Sequence, residues 1–207
     1  MHYPKAIHLE KASVQTVATM AMLLLWAVGP VHVSAQSPAS TSATVSYVPV
    51  TISGGREIGR QDFGRPVPLI AAGLGIAPEV FRAAFSKVRP ARGGTEPAPA
   101  QVRQNKDALM AVLAPHGVTN EQLDTVSNYY RFNPKRGETW PARPAKATAL
   151  VRDGAVYAFT IQDAGSGYSS PPKVVVPGHL QTNAVAELHF GKDLSKNGSV
   201  ARITLLP

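Results

Sequence analysis

The sequence contains no cysteine in 207 residues. This absence excludes disulfides, thiol nucleophiles, iron–sulfur clusters, thiolate zinc sites and a cysteine-linked lipid anchor. Acidic side chains are also scarce, with 13 Asp and Glu against 21 Lys and Arg, which leaves a net charge of +8. A basic balance favours polyanionic partners such as acidic wall polymers, anionic polysaccharide or lipid headgroups, although it serves solubility equally well.

A long hydrophobic run is missing as well. The apolar stretch Val17–Val28 is too short for a bilayer, which requires about 20 residues. Basic residues precede it, and Gly29-Pro30 and then Val33-Ser34-Ala35 follow it, which is the pattern of a cleaved export signal. We therefore expect a signal peptide at 1–35 and a mature chain that begins at Gln36. The alternative is an uncleaved anchor stretched over 17–35, which Pro30 disfavours.

Proline and glycine divide the remaining chain into three parts. Residues 36–55 are rich in Ser, Thr, Ala and Pro, and predict a flexible leader with an edge strand near Tyr47–Ile52. Residues 56–141 have the apolar spacing of short helices, whereas residues 142–207 alternate as β-strands do. We therefore expect an α+β fold, in which a small helical domain of three to four helices precedes an antiparallel β module.

The predicted helices have recognisable start signals. Thr119 precedes an apolar stripe and Gln122 follows three positions later, which is the spacing of a capping box. The three earlier helices are predicted over 69–74, from Pro78 onwards, and over about 100–114. Proline lies near the start of the first two, and at Pro78 its missing N–H costs no hydrogen bond.

The β module contains an internal repeat. The stretch 153–161 (Asp-Gly-Ala-Val-Tyr-Ala-Phe-Thr-Ile) aligns with 197–205 (Asn-Gly-Ser-Val-Ala-Arg-Ile-Thr-Leu), and 147–151 aligns with 184–188. Asp-Gly and Asn-Gly are typical of two-residue hairpin turns. Each copy is therefore predicted to be a strand, a turn and a strand.

Between the two copies lies a Gly-Ser-Gly-Tyr turn at 165–168, followed by two prolines and a valine-rich strand. With these features, residues 147–206 resemble a short β repeat of bacterial extracellular proteins and of phage fibre or tail proteins. Residues 56–141 resemble exported bacterial proteins of no assigned activity. Both glycines of the turn are expected at positive φ, with the Tyr168 ring over the next strand and its hydroxyl in solvent.

No catalytic or metal-binding motif is evident. His116, His179 and His189 lack the spacing of metal ligands. Ser170 and Lys173 have the Ser-x-x-Lys spacing of acyl-enzymes, but the two prolines between them prevent the helix that this chemistry needs. The carboxylates are scattered. We therefore predict no catalytic residue, no metal and no cofactor.

One cluster of aromatic and basic residues lies at the predicted boundary between the helical and β parts. Rings and guanidinium groups together suit sugar rings or anionic polymers, through stacking and cation–π contact. In the alternative, Tyr130 and Trp140 seal the helical core while the arginines are solvated. The candidate ligand-binding residues are Tyr129, Tyr130, Arg131, Arg136, Trp140 and Arg143.

The sequence thus favours an exported, non-enzymatic bacterial protein that acts in binding or assembly at the cell envelope, in the periplasm or outside the cell. The expected partners are an anionic polysaccharide or another surface protein, the latter through the edge of the strand at 199–205. Export separates the chain from genomic nucleic acid, and signal cleavage leaves no transmembrane span. The alternative is a secreted hydrolase with its site at the helical/β junction, which requires two carboxylates in one cleft.

Overall fold

The computed structural model describes residues 43–89 and 98–207, so the predicted signal at 1–35 and the first part of the leader, 36–42, lie outside the described residues. The mixed α+β class is confirmed. The elements in chain order are β1 (Val45–Pro49), β2 (Thr51–Ser53), α1 (Val67–Leu74), α2 (Pro78–Phe85), α3 (Pro99–Leu113), α4 (Asn120–Tyr129), β3 (Lys146–Arg152), β4 (Ala155–Asp163), β5 (Lys173–Val175), β6 (Ala184–His189) and β7 (Ser199–Leu205).

The helix starts follow the sequence signals. Proline occupies the first turn of α1, α2 and α3. At α4 the predicted capping box is confirmed: the Thr119 hydroxyl accepts from the Gln122 N–H (3.2 Å), and the Gln122 side chain accepts from the Thr119 N–H (2.9 Å). These two bonds satisfy N–H groups that the helix itself leaves unpaired.

The four helices share one hydrophobic cluster, whose centre is α1. Both Leu69 and Ala71 of α1 are fully buried. Gly73 allows the closest approach, because a Cβ there would lie 2.8 Å from Leu194 Cδ2 and 3.1 Å from Val126 Cγ1. A glycine inside a helix costs about 1 kcal/mol, and here it lets α4 and the β6–β7 loop pack directly on α1.

The strands form two antiparallel sheets, with orders β1-β3-β4 and β2-β5-β6-β7. Residues 45–53 contribute to both sheets, since β1 pairs with β3 and β2 pairs with β5, while the Val50 N–H between them donates to the Ala147 carbonyl (2.9 Å). On the other side, the Val200 N–H of β7 donates to the Ala164 carbonyl just after β4 (2.8 Å). The two sheets therefore enclose a second cluster of buried side chains, which includes Ala147, Tyr168, Val174, Ala186, Val200 and Ile203.

Each copy of the internal repeat forms an antiparallel hairpin, β3–β4 and β6–β7. Asp153-Gly154 is the predicted two-residue turn, with φ of 50° and 82°. The prediction was wrong for Asn197-Gly198, which ends a longer loop that begins at Phe190. The reason is packing: Asn197 is fully buried against the helices, so the additional residues are needed to reach them.

The Gly-Ser-Gly-Tyr turn packs inward. Gly165 and Gly167 have positive φ as predicted (63° and 81°), and a Cβ on Gly167 would lie 2.6 Å from the Pro141 carbonyl oxygen. The prediction of a solvated Tyr168 hydroxyl was wrong, because the side chain is buried and its hydroxyl accepts from the Ala145 N–H (2.9 Å). The tight turn brings the ring between the sheets, where a backbone donor replaces water.

Candidate functional site

Asn197 is a buried amide at the place where the helices and sheets meet. Its Nδ2 donates to the Leu69 carbonyl of α1 (2.7 Å) and to the Tyr130 hydroxyl after α4 (2.9 Å). Its Oδ1 accepts from the Gly191 N–H (3.2 Å). Burial raises the pKa of Tyr130 to about 12, with the Asn197 hydrogen bond acting in the opposite direction. Asn197 therefore fixes both ends of the β6–β7 loop against the helical core.

That fixed loop forms one wall of a cleft of about 570 Å³, which we call the basic cleft. Its opposite wall is the turn after β4 together with the segment that precedes β3. Four of its lining side chains carry cationic or imidazole groups, and one carries a carboxylate. The lining residues are Arg143, Ala164, Gly165, His189, Gly191, Lys192, Asp193, Lys196, Asn197 and Ser199.

Two exposed ion pairs border the basic cleft. Arg143 Nη2 lies 3.3 Å from Asp163 Oδ1, and Lys196 Nζ lies 3.3 Å from Asp193 Oδ2. The Gly165 N–H and then the Arg143 charge lower the pKa of Asp163. Hydrogen bonds from Ser195 and Lys196 lower the pKa of Asp193. Exposed pairs of this kind contribute little to stability, and each cation retains further N–H donors for a ligand.

A second cleft, the apolar cleft, has a volume of about 430 Å³ and lies along α1. It meets the basic cleft at Gly191 and Lys192, which line both. The Lys192 side chain contacts Gly75 at the C-terminal end of α1, where the helix carbonyls favour a cation. The lining residues of the apolar cleft are Pro68, Ala72, Gly75, Ile76, Pro78, Phe190, Gly191 and Lys192.

The two large rings of the candidate set lie in the helical core. Tyr130 is 1% exposed and Trp140 is 3% exposed. The Trp140 Nε1–H donates to the Gly167 carbonyl (2.8 Å), and the half-buried Tyr129 packs edge-on against Tyr130 with ring centroids 5.0 Å apart. Neither Tyr130 nor Trp140 therefore presents a ring face on which a sugar could stack.

The three candidate arginines are exposed, and each has different neighbours. Arg136 lies 4.0 Å from the Glu138 carboxylate, and Arg131 is the second residue after α4. Only Arg143, of the six candidates, lines the basic cleft, and none of the six lines the apolar cleft. The structure thus brings Arg143 together with lysines from the other end of the chain, rather than with its sequence neighbours.

Exposed aromatic rings occur elsewhere, on the outer face of the β1-β3-β4 sheet. Tyr47 is 72% exposed and Tyr157 is 59% exposed. The Arg152 guanidinium lies over the Tyr157 ring, with Cζ 4.7 Å from the centroid. Arg152 is the last residue of β3 and pairs with Ala155, at the opposite end of β4 from the basic cleft.

His189, Lys192 and Lys196 were missed as site residues. The available signal was the extra segment around 190–196 that the second repeat copy contains and the first lacks. An insertion in an otherwise matching hairpin is a natural place for a functional loop. The sequence does not show, however, that this loop folds back towards Arg143, because that depends on the buried contacts of Asn197.

Paired carboxylates, which the hydrolase alternative needs, do not occur in the three clefts. The basic cleft has only Asp193, while the apolar cleft and a third cleft of about 400 Å³ beside β5 have none. Ser170 donates to the Glu57 carboxylate, which lowers the pKa of Glu57, and Lys173 begins β5 rather than a helix. In residues 43–89 and 98–207, no group of three or more His, Asp or Glu could hold a metal ion.

Comparison of the chain with protein-family models, with curated proteins and with solved structures gives no match. Within the part of the chain that the structure describes, no single helix is long and apolar enough to cross a membrane, and α1 and α2 meet that test only together, as a pair bent by 107°. The case for function therefore depends on the geometry and charge of the clefts.

Proposed function

We propose that this chain is an exported binding protein and that it holds an anionic glycan in the basic cleft. The observation that carries the proposal is the convergence of Arg143, Lys192 and Lys196, together with His189, around a cleft that contains one carboxylate. Carboxylate and sulfate or phosphate groups accept charge-assisted hydrogen bonds from such side chains.

The shape of the cleft supports the same conclusion. Its volume of about 570 Å³ is within the range of small-ligand sites. Its loop wall is held by the buried Asn197, so the cations are attached to a positioned backbone. A site that is already formed loses less entropy when its ligand binds. The net charge of +8 adds a long-range attraction for acidic polymers.

A matched pair of double variants tests the proposal, with binding to soluble polygalacturonate measured by isothermal titration calorimetry at low salt. Lys192→Gln with Lys196→Gln removes two charges from the basic cleft, and Arg131→Gln with Arg136→Gln removes two charges from the exposed candidate cluster. Each lost contact is expected to cost about 0.5–1 kcal/mol, so the cleft variant should bind roughly tenfold more weakly.

Arg152→Gln is a further control, because it removes one charge far from the cleft. Equal weakening by the cleft variant and the Arg131/Arg136 variant would show that net charge, rather than the basic cleft, determines binding. Weakening by the Arg131/Arg136 variant alone would move the site to the cluster predicted from the sequence. Unchanged affinity in the cleft variant would refute the proposal.

A further inference from the structure

The basic cleft lies directly beside the apolar cleft, because Gly191 and Lys192 line both. The other wall of the apolar cleft is α1 and the turn that leads into α2. The apolar cleft is lined by Ala72 and Ile76 on the helix side and by Phe190 on the loop side. Phe190 is an exposed ring beside a cluster that buries most other large apolar side chains of this region.

Lys192 lies at the border between the two clefts. Its side-chain end contacts Gly75, and a Cβ at Gly75 would lie 2.9 Å from the Lys192 Nζ. An anionic group bound by this ammonium therefore has cationic side chains on one side and apolar side chains on the other. A ligand that is anionic throughout would leave the apolar side unfilled, whereas a ligand with an apolar chain next to its charge would fill both.

We infer that the ligand of this site is an acylated anionic saccharide. Its charged sugar occupies the basic cleft, and one acyl chain extends from Lys192 into the apolar cleft along α1. This inference depends on the proposed function and adds to it the second part of the ligand. The volume of about 430 Å³ is at the low end of the range for small-ligand sites, which suits a single acyl chain of a free ligand molecule.

Three probes separate the contributions of charge and chain. Methyl β-D-glucuronide carries the charge without a long chain, dodecyl β-D-glucoside carries the chain without the charge, and dodecyl β-D-glucuronide carries both. Isothermal titration below the critical micelle concentration should give dodecyl β-D-glucuronide an affinity about tenfold or more above that of either other probe, since each buried methylene adds to binding.

Variants then assign each contribution to its cleft. Ala72→Leu fills the apolar cleft from α1, and it should remove the advantage of the dodecyl chain while methyl β-D-glucuronide binds as before. Ala72→Ser leaves the space open and controls for substitution at this helix position. Lys192→Gln should weaken both glucuronides. If Ala72→Leu fails to fold, Phe190→Ser replaces it. This variant removes the apolar wall on the loop side and should also remove the advantage of the dodecyl chain.

Each contrary result has a distinct meaning. Equal affinity for the methyl and dodecyl glucuronides would overturn the acyl-chain inference and leave the proposed anion site intact. Equal affinity for dodecyl glucoside and dodecyl glucuronide would overturn both, because charge would then contribute nothing. Binding to phosphatidylglycerol vesicles with no binding of the monomeric probe would replace the free molecule with a membrane surface, and would also overturn the inference.

Discussion

At the scale of single residues, the buried pair Tyr130 and Asn197 connects stability to pH. Because burial raises the folded-state pKa of Tyr130 to about 12 from an ordinary value near 10, the fold favours the neutral phenol. The contribution of the neutral Tyr130 phenol to the free energy of unfolding is fully present below about pH 10 and is lost as the pH rises towards 12. The Tyr130 hydroxyl also accepts a hydrogen bond from Asn197, so it stabilises the fold at neutral pH.

Tyr130→Phe should therefore have opposite effects at the two ends of the pH range. At pH 7 the variant should be less stable by about 1 kcal/mol, because an Asn197 N–H loses its acceptor. Between pH 10 and 12 the wild type should lose up to about 2 kcal/mol that the variant does not lose. Urea unfolding followed by far-UV circular dichroism measures both, with Tyr157→Phe as a control for an exposed hydroxyl. A constant difference across the range would contradict the assignment.

At the scale of elements, the two glycines that follow Asp or Asn in the repeat differ in how closely other atoms approach them. Gly154 and Gly198 both have positive φ, at 82° and 66°. A Cβ at Gly154 would meet no atom within 4 Å, whereas one at Gly198 would collide with the Tyr168 carbonyl and lie 2.5 Å from Leu69 Cδ2. The matching sequence positions thus sit in an open turn in one hairpin and in a packed junction in the other.

Alanine substitution should separate the conformational cost of a positive φ from the cost of collisions with an added Cβ. Gly154→Ala is expected to cost about 1–2 kcal/mol, which is the conformational penalty alone. Gly198→Ala adds backbone and core collisions, and its total loss should exceed that of Gly154→Ala by at least about 1–3 kcal/mol. Chemical denaturation of the two variants measures the difference. Equal losses would mean that the junction around Tyr168 can adjust at little cost.

The same contrast shows which elements could be predicted from the sequence. The α4 capping box and the Asp153-Gly154 turn depend on neighbours within three or four positions, so their local chemistry was sufficient. Asn197-Gly198 and Tyr168 look equally local, but their conformations depend on Leu69, Tyr130 and Ala145, which are distant in sequence. The residues of the candidate site were hard to predict for the same reason. Arg143 was among the predicted residues, but the lysines that line the basic cleft with it come from another hairpin.

At the scale of the whole molecule, the helices and the sheets are joined through buried contacts. Residues 43–89 and 98–207 belong to one compact unit, and side chains of one hydrophobic cluster or its loops contact the other. Trp140 donates to the Gly167 carbonyl, Asn197 donates to the Leu69 carbonyl, and Leu194 packs on the helical cluster. If one cluster unfolded alone, the hydrogen bonds of Trp140 and Asn197 would lose their partners, which favours joint unfolding of the two clusters.

We therefore expect a single unfolding transition for the chain from Gln36 onwards. Trp140 is the only tryptophan in that chain, because Trp26 lies in the predicted signal. Its fluorescence reports the helical side of the junction, and far-UV circular dichroism reports the secondary structure of the helices and sheets together. The two signals should have the same midpoint in urea. A fluorescence midpoint clearly below the other would show that the helical part unfolds by itself.

The segment at 45–53, whose strands β1 and β2 pair with different sheets, affects the order in which contacts form during the proposed export. It is the first described segment to emerge, yet its partners β3 and β5 begin at Lys146 and Lys173. Its backbone donors and acceptors must wait for nearly the entire chain to cross the membrane before they are paired. Native contacts so distant in sequence form slowly. If the chain is exported as proposed, it passes through an interval in which this segment is unpaired, and a periplasmic chaperone that binds extended segments would bind it during that interval.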